Sequence, residues 1–159
     1  MERYQSPPPI TEPEPRHTQH ASPGILARWQ SWAPRIRSLL RIVAAFGFML
    51  HGTAKLFAFP VGRNGGTVDL MSQAGLAGFL EVFGGLFLLF GLFTRPVAFL
   101  LSGQMAVAYF QAHAPQGFWP TVNRGEAAML YCFIWLYFSS AGPGPWSMDA
   151  LRHRRRSRV

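Results

Sequence analysis

Twenty consecutive residues, Ala74 to Phe93 (AGLAGFLEVFGGLFLLFGLF), carry a single charge, Glu81. A helix of that length rises about 30 Å, the thickness of a bilayer's hydrocarbon core. A helix apolar on every side has little use in a soluble domain, so the stretch reads as a membrane span. Glu81 must then face protein, because a carboxylate against lipid at mid-bilayer costs roughly 2.5 kcal/mol or more. Ala77, Gly78, Gly84 and Gly85 stand at i−4, i−3, i+3 and i+4 from it. They form a strip of small residues along which a second helix can come close.

The rest of the chain has the composition to supply such helices. Of its 159 residues 49% are hydrophobic and 14% charged, against about 25% charged in a typical soluble domain. The mean hydropathy is only +0.11, because polar ends dilute an apolar middle. The single cysteine, Cys132, excludes an intrachain disulfide and a CxxC redox pair. It lies in an apolar run and reads as a small core hydrophobe. No apolar run precedes residue 25, so no secretory signal peptide is expected.

Residues Met1 to Gly24 hold six prolines among scattered charges, a composition that does not fold alone and reads as a disordered tail. Ile25 to Ser38 mixes Trp29 and Trp32 with Arg28, Arg35 and Arg37, as expected for a juxtamembrane segment in the interface, broken or kinked at Pro34. A first span is expected over about 39–59, with Arg41 snorkelling from its start toward the headgroups. His51 and Lys55, four residues apart, share one face of it. The second span is 74–93. Pro96 opens a third over about 96–113, with Gln104 and Gln111 as buried-polar candidates. A fourth runs over about 125–141, with Glu126 in its first turn, where a negative charge suits the helix dipole. The GPGPW segment ends that helix, and a basic tail, 152–159, follows.

Twelve of the fifteen basic residues fall before or at the start of span one, between spans two and three, or after span four. With four spans these positions share one side, and the positive-inside rule makes that side the cytoplasm. Anionic headgroups then account for the pI of about 11.1, and nucleic acid is not needed as a partner.

This topology gathers His51, Lys55, Glu81, Gln111, His113, Asn123 and Glu126 in the outer half of the bundle, while the inner halves are almost wholly apolar. At 1.5 Å per residue Lys55 lies roughly 6 Å, Glu81 about 10 Å and His51 roughly 12 Å below the outer ends of their spans. Lys55 and Glu81 are expected to pair, since an unpaired charge at that depth would neutralise or draw in water. With His51, which exchanges protons near neutral pH, the pair is expected to line an outward-facing polar pocket for a quinone head or a proton relay. The plainer reading is that the pair only sets helix register. A bis-histidine haem is disfavoured because His51 and His113 differ in depth by most of 12 Å. No metal ligand set and no catalytic residue is assigned; CxxCH, HExxH, Walker and GxGxxG patterns are absent.

The segments HGTAK (51–55), EVFGG with GLFTRP (81–96), MAVAYFQAHAPQGFWP (105–120), NRGEAAMLYCFIWLY (123–137) and AGPGPWSMDAL (141–151) together resemble the DoxX family, small bacterial and archaeal membrane proteins with four spans. The resemblance covers Leu39 to Leu151. It implies an all-α, four-helix transmembrane bundle in the bacterial inner membrane, with both termini cytoplasmic. The family is named after a subunit associated with a terminal quinol oxidase and thiosulfate:quinone oxidoreduction. Other members are linked to membrane oxidoreductase complexes against oxidative stress. The function expected is thus an accessory subunit of such a complex, with quinone as the implied cofactor and a membrane or soluble redox protein as partner. A proton-coupled transporter and a structural or assembly partner without chemistry are the alternatives, and a homo-oligomer is left open.

Overall fold

The computed structural model of the chain describes residues 24–61 and 66–157. The proline-rich head therefore lies outside the described residues, as does part of the loop after the first span. Among the described residues there are five helices and no strand. They are α1 Ile25–Phe57, α2 Gln73–Phe90, α3 Thr94–Ala108, α4 Glu126–Ala141 and α5 Met148–Arg156. A five-residue π turn, Leu80–Gly84, interrupts α2. Another, Tyr109–His113, prolongs α3 and passes into a short 3-10 turn, Ala114–Gln116.

α1 packs along α2 and α3 along α4, and the two pairs meet where α2 touches α3 and α1 touches α4. Their shared core holds Ala45 and Phe48 of α1, Leu88 of α2, Ala98 and Leu101 of α3, and Trp135 and Phe138 of α4. Phe48 bridges the pairs, its ring centroid 5.1 Å from that of Tyr131 and 5.4 Å, edge-on, from that of Trp135. Tilted and edge-to-face rings at such distances contribute about 0.5–1.5 kcal/mol beyond burial.

The outside is apolar as well. Phe46, Phe99 and Phe133 are 58%, 68% and 64% exposed, and large apolar patches on a soluble monomer are rare. Two helices, α1 and α2, are long and apolar enough to cross a membrane. The regular α-helical parts of α3 and α4, at 15 and 16 residues, are shorter than the ~20 residues of a full crossing.

Two expectations about helix bounds are revised. The interfacial segment and the first span are one helix that carries through Pro34. The second span stops at Phe90, three residues early, because Gly91 takes a left-handed conformation at φ 65°. The amide of Leu92 then donates to Phe87 O at 2.9 Å and that of Gly91 to Leu88 O at 3.1 Å, a Schellman ending. Most of the basic tail is helical: Ser147 caps α5 by accepting from the Ala150 amide at 3.1 Å, and the basic residues of its last turn face the negative end of the helix dipole.

Arg41 is the largest correction. It is fully buried rather than snorkelling. Its guanidinium donates to Leu88 O, to Leu89 O at 2.7 Å, to Pro143 O at 3.0 Å and to Trp146 O at 2.5 Å. The last carbonyls of a helix have no partner within it, and a forked guanidinium with five donors can serve several at once. Arg37 reaches Ala141 O at 2.8 Å, and Arg95 reaches Ser139 O and Ser140 O at 3.2 and 2.5 Å. Arginines thus cap the C-terminal ends of both α2 and α4.

Candidate functional site

Glu81 sits inside the π turn of α2 and is 1% exposed. A π turn inserts one residue and swings the following side chains by about 100°. The small residues around it meet two different helices. Gly78 faces Lys55 and Leu56 of α1, Gly84 faces Leu101 of α3, and Gly85 faces Met49 of α1. Gly52 of α1 comes so close to α2 that a Cβ there would lie 2.8 Å from Gly78 O and 2.9 Å from Glu81 Cβ. The small-residue strip read from the sequence therefore serves two partner helices at once.

Lys55 Nζ forms an ion pair with Glu81 Oε1. Gln104 of α3 completes a triad: its Nε2 donates to the same oxygen at 3.3 Å and to Ala77 O at 3.4 Å. Glu81 Oε2 and Gln104 Oε1 are buried acceptors with no hydrogen-bond partner among the described residues. Lys55's side chain is 31% exposed against 2% for Glu81, so the ion pair meets the surface on its lysine side. Three helices thus hold one carboxylate, one oxygen engaged and the other buried without a partner among the described residues.

The other expected members of the cluster lie elsewhere. His51 is exposed and makes an edge contact with Tyr131, centroids 5.9 Å apart, rather than with the ion pair. Gln111 accepts from Gln73 Nε2 at 2.5 Å, which ties the start of α2 to the end of α3. Asn123 is 1% exposed and organises the loop before α4: it donates to Gly117 O at 2.8 Å and accepts from the Gly125 amide at 2.8 Å. His113 Nδ1 lies 3.0 Å from Asn123 O and its ring stacks on Tyr109. Glu126 is exposed in the first turn of α4, with no side-chain partner among the described residues. The structure therefore brings together Lys55 and Glu81, places Asn123 and His113 in a separate loop network, and leaves His51 and Glu126 apart.

Gln104 is the residue missing from the sequence-derived cluster. Its depth carries the signal: it stands nine residues before His113, and Glu81 stands eight after Gln73, so both lie ~12–14 Å from the same end. No group of three or more His, Cys, Asp or Glu residues suited to a metal ion occurs among the described residues.

The DoxX family model matches residues 36–114. A protein of Haemophilus influenzae described as an uncharacterized protein is 44% identical over 126 residues, covering 76% of this chain and 92% of its own length. No solved structure matches.

Proposed function

This chain belongs to the DoxX family of membrane proteins, and from that premise we propose a four-span inner-membrane protein, both termini cytoplasmic, serving as accessory subunit of a quinone-linked oxidoreductase or oxidative-stress membrane complex. The observation that supports it most is the Glu81 triad. Burying a carboxylate in an apolar bundle is costly, and this one keeps an oxygen without a partner among the described residues. Structural ion pairs ordinarily satisfy their remaining lone pairs with further hydrogen bonds. A buried, unpartnered acceptor beside a partly exposed lysine suits a group that receives a proton or a hydroxyl. In this reading Glu81 accepts the hydroxyl of a quinol head or a relayed proton, Lys55 supplies the counter-charge, and Gln104 orients the carboxylate. Electron transfer belongs to the partner protein.

Mass spectrometry of what leaves the membrane with the chain in mild detergent tests the reading, together with quinol oxidation by membranes carrying Glu81→Gln. Bound quinone or a redox partner, with slower oxidation in the variant, is the expected result. Neither species bound, and an unchanged rate, would refute it.

A structural role has its own support in the close approach of Gly52 to Gly78 beside the ion pair. Replacing Lys55 and Glu81 together by apolar residues separates the two: a purely structural pair leaves partner activity intact.

A further inference from the structure

At the end opposite the Glu81 triad, α1, the start of α3, the loop after α4 and α5 enclose a cleft of about 1140 Å³. Arg37, Arg95, Arg152, Arg155 and Arg156 line it with His153. Among the described residues Asp149 is the single acid in its lining, and both its carboxylate oxygens are already engaged. Oδ1 accepts the Phe93 amide at 3.0 Å and Oδ2 the Thr94 amide at 2.9 Å. One carboxylate against five arginines leaves the lining with a net positive charge. Arg37 Nε is buried without an acceptor among the described residues. Arg155 and Arg156 make no side-chain hydrogen bond or ion pair there, in contrast to Lys55. Beside this charge stand apolar walls: Phe93, with Arg152 over its ring at 5.2 Å, and Pro34 and Pro143. On a neighbouring face of α1, Ile25, Trp29, Trp32 and Ile36 make an exposed apolar stripe, as in helices that lie at the headgroup level.

We infer that this cleft is a binding site for an anionic phospholipid, its phosphate held by the arginines of α5 with Arg37 and Arg95, and its glycerol and upper acyl carbons against Phe93 and the proline loop. Planar guanidinium groups match phosphate oxygens two at a time, and basic pockets beside membrane helices take such headgroups. A soluble phosphate ester would match the arginines but leave the apolar wall unused. The inference rests on the membrane reading above and is independent of its redox part.

The α5 helix supplies its own control. Arg155 lines the cleft and Arg154, next to it, does not. Both residues are exposed, and replacing either by glutamine changes the net charge equally. The full-length protein is purified in detergent and titrated with phosphatidylglycerol or phosphatidylcholine, and bound lipid is counted by native mass spectrometry. The wild-type chain is expected to retain phosphatidylglycerol in preference, and inorganic phosphate at equal concentration is expected to leave it bound. Arg155→Gln is expected to weaken retention about fivefold, and Arg152→Gln/Arg155→Gln/Arg156→Gln on the order of a hundredfold, whereas Arg154→Gln changes little. Equal retention of the two lipids, equal losses for Arg154→Gln and Arg155→Gln, or release by inorganic phosphate would each overturn the cleft. Unchanged thermal midpoints in the variants exclude unfolding as the cause of a loss. Carbonate extraction keeps the premises apart: protein released to the supernatant overturns the membrane reading and the cleft with it, whereas lost selectivity in a membrane-retained protein overturns the cleft alone.

Discussion

Arg41 donates to the carbonyl of Leu89 at 2.7 Å across forty-eight positions of sequence. The same guanidinium binds Pro143 O and Trp146 O, so one side chain joins α1, the end of α2 and the loop that follows α4. A Cβ on Gly91 would come within 3.0 Å of its guanidinium carbon. The left-handed glycine that ends α2 thus also makes room for the residue that caps it.

Removing this group leaves several buried carbonyls without donors. Arg41→Ala is expected to cost on the order of 3–5 kcal/mol, read as a lowered thermal midpoint in detergent. Arg41→Lys should resemble the alanine variant more than the wild type, since an ammonium on a flexible stem cannot reproduce the fork. A wild-type midpoint in Arg41→Ala would contradict the capping role.

Asp149 caps the N-terminal end of α3 from another helix, through the amides of Phe93 and Thr94. Asp149→Ala is expected to destabilise by about 1–2 kcal/mol, as loss of a charged N-cap does. Asp149→Asn should fall between it and the wild type, because one acceptor oxygen survives. Hydrogen exchange at Phe93 and Thr94 provides the local readout; unchanged protection in Asp149→Ala would count against the cap.

For the ion pair, Lys55→Met leaves Glu81 buried without its counter-charge, and a loss of about 3 kcal/mol is expected, at the lower end of the range because Lys55 is partly exposed. Lys55→Met/Glu81→Leu should recover most of it. A double variant no more stable than the single would mean that the carboxylate has other sources of stabilisation.

Two glycines give opposite expectations. At Gly52 a Cβ would meet Val82 Cγ2 at 2.7 Å and the carbonyl of Gly78 at 2.8 Å. Gly52→Ala is thus expected to push α1 from α2 at a cost of about 1–3 kcal/mol. At Gly103, on the exposed side of α3, nothing lies within 4 Å, and alanine should be neutral or stabilising by up to ~1 kcal/mol through helix propensity. The same thermal assay checks both, and equal shifts would show that propensity, not close packing, governs Gly52.

The helical class, the approximate positions of α2 to α4 and the pairing of Lys55 with Glu81 were legible in the amino-acid order. Hydrophobic run length and four-residue spacing are local properties, and a lone buried charge demands an opposite one wherever it sits. The extent of α1 was not legible, because Pro34 disfavours a helix locally and the helix nonetheless continues through it. Gln104 was visible as a polar residue in an apolar run, but its partner depended on which helix α3 would face.

Amino-acid order alone requires that an apolar, all-helical chain hide one carboxylate and match it with one lysine. The packing of the helices, by contrast, selects the partners of Arg41, Asp149 and Gln104. Arg41 reads as a headgroup anchor until the end of α2 and the GPGPW loop are folded around it. Asp149 is an ordinary first-turn acid of α5 until the start of α3 is brought to it. Their acceptors and donors are main-chain groups, which every residue carries alike, so no pattern of side chains marks them, and only the packing of the helices selects them.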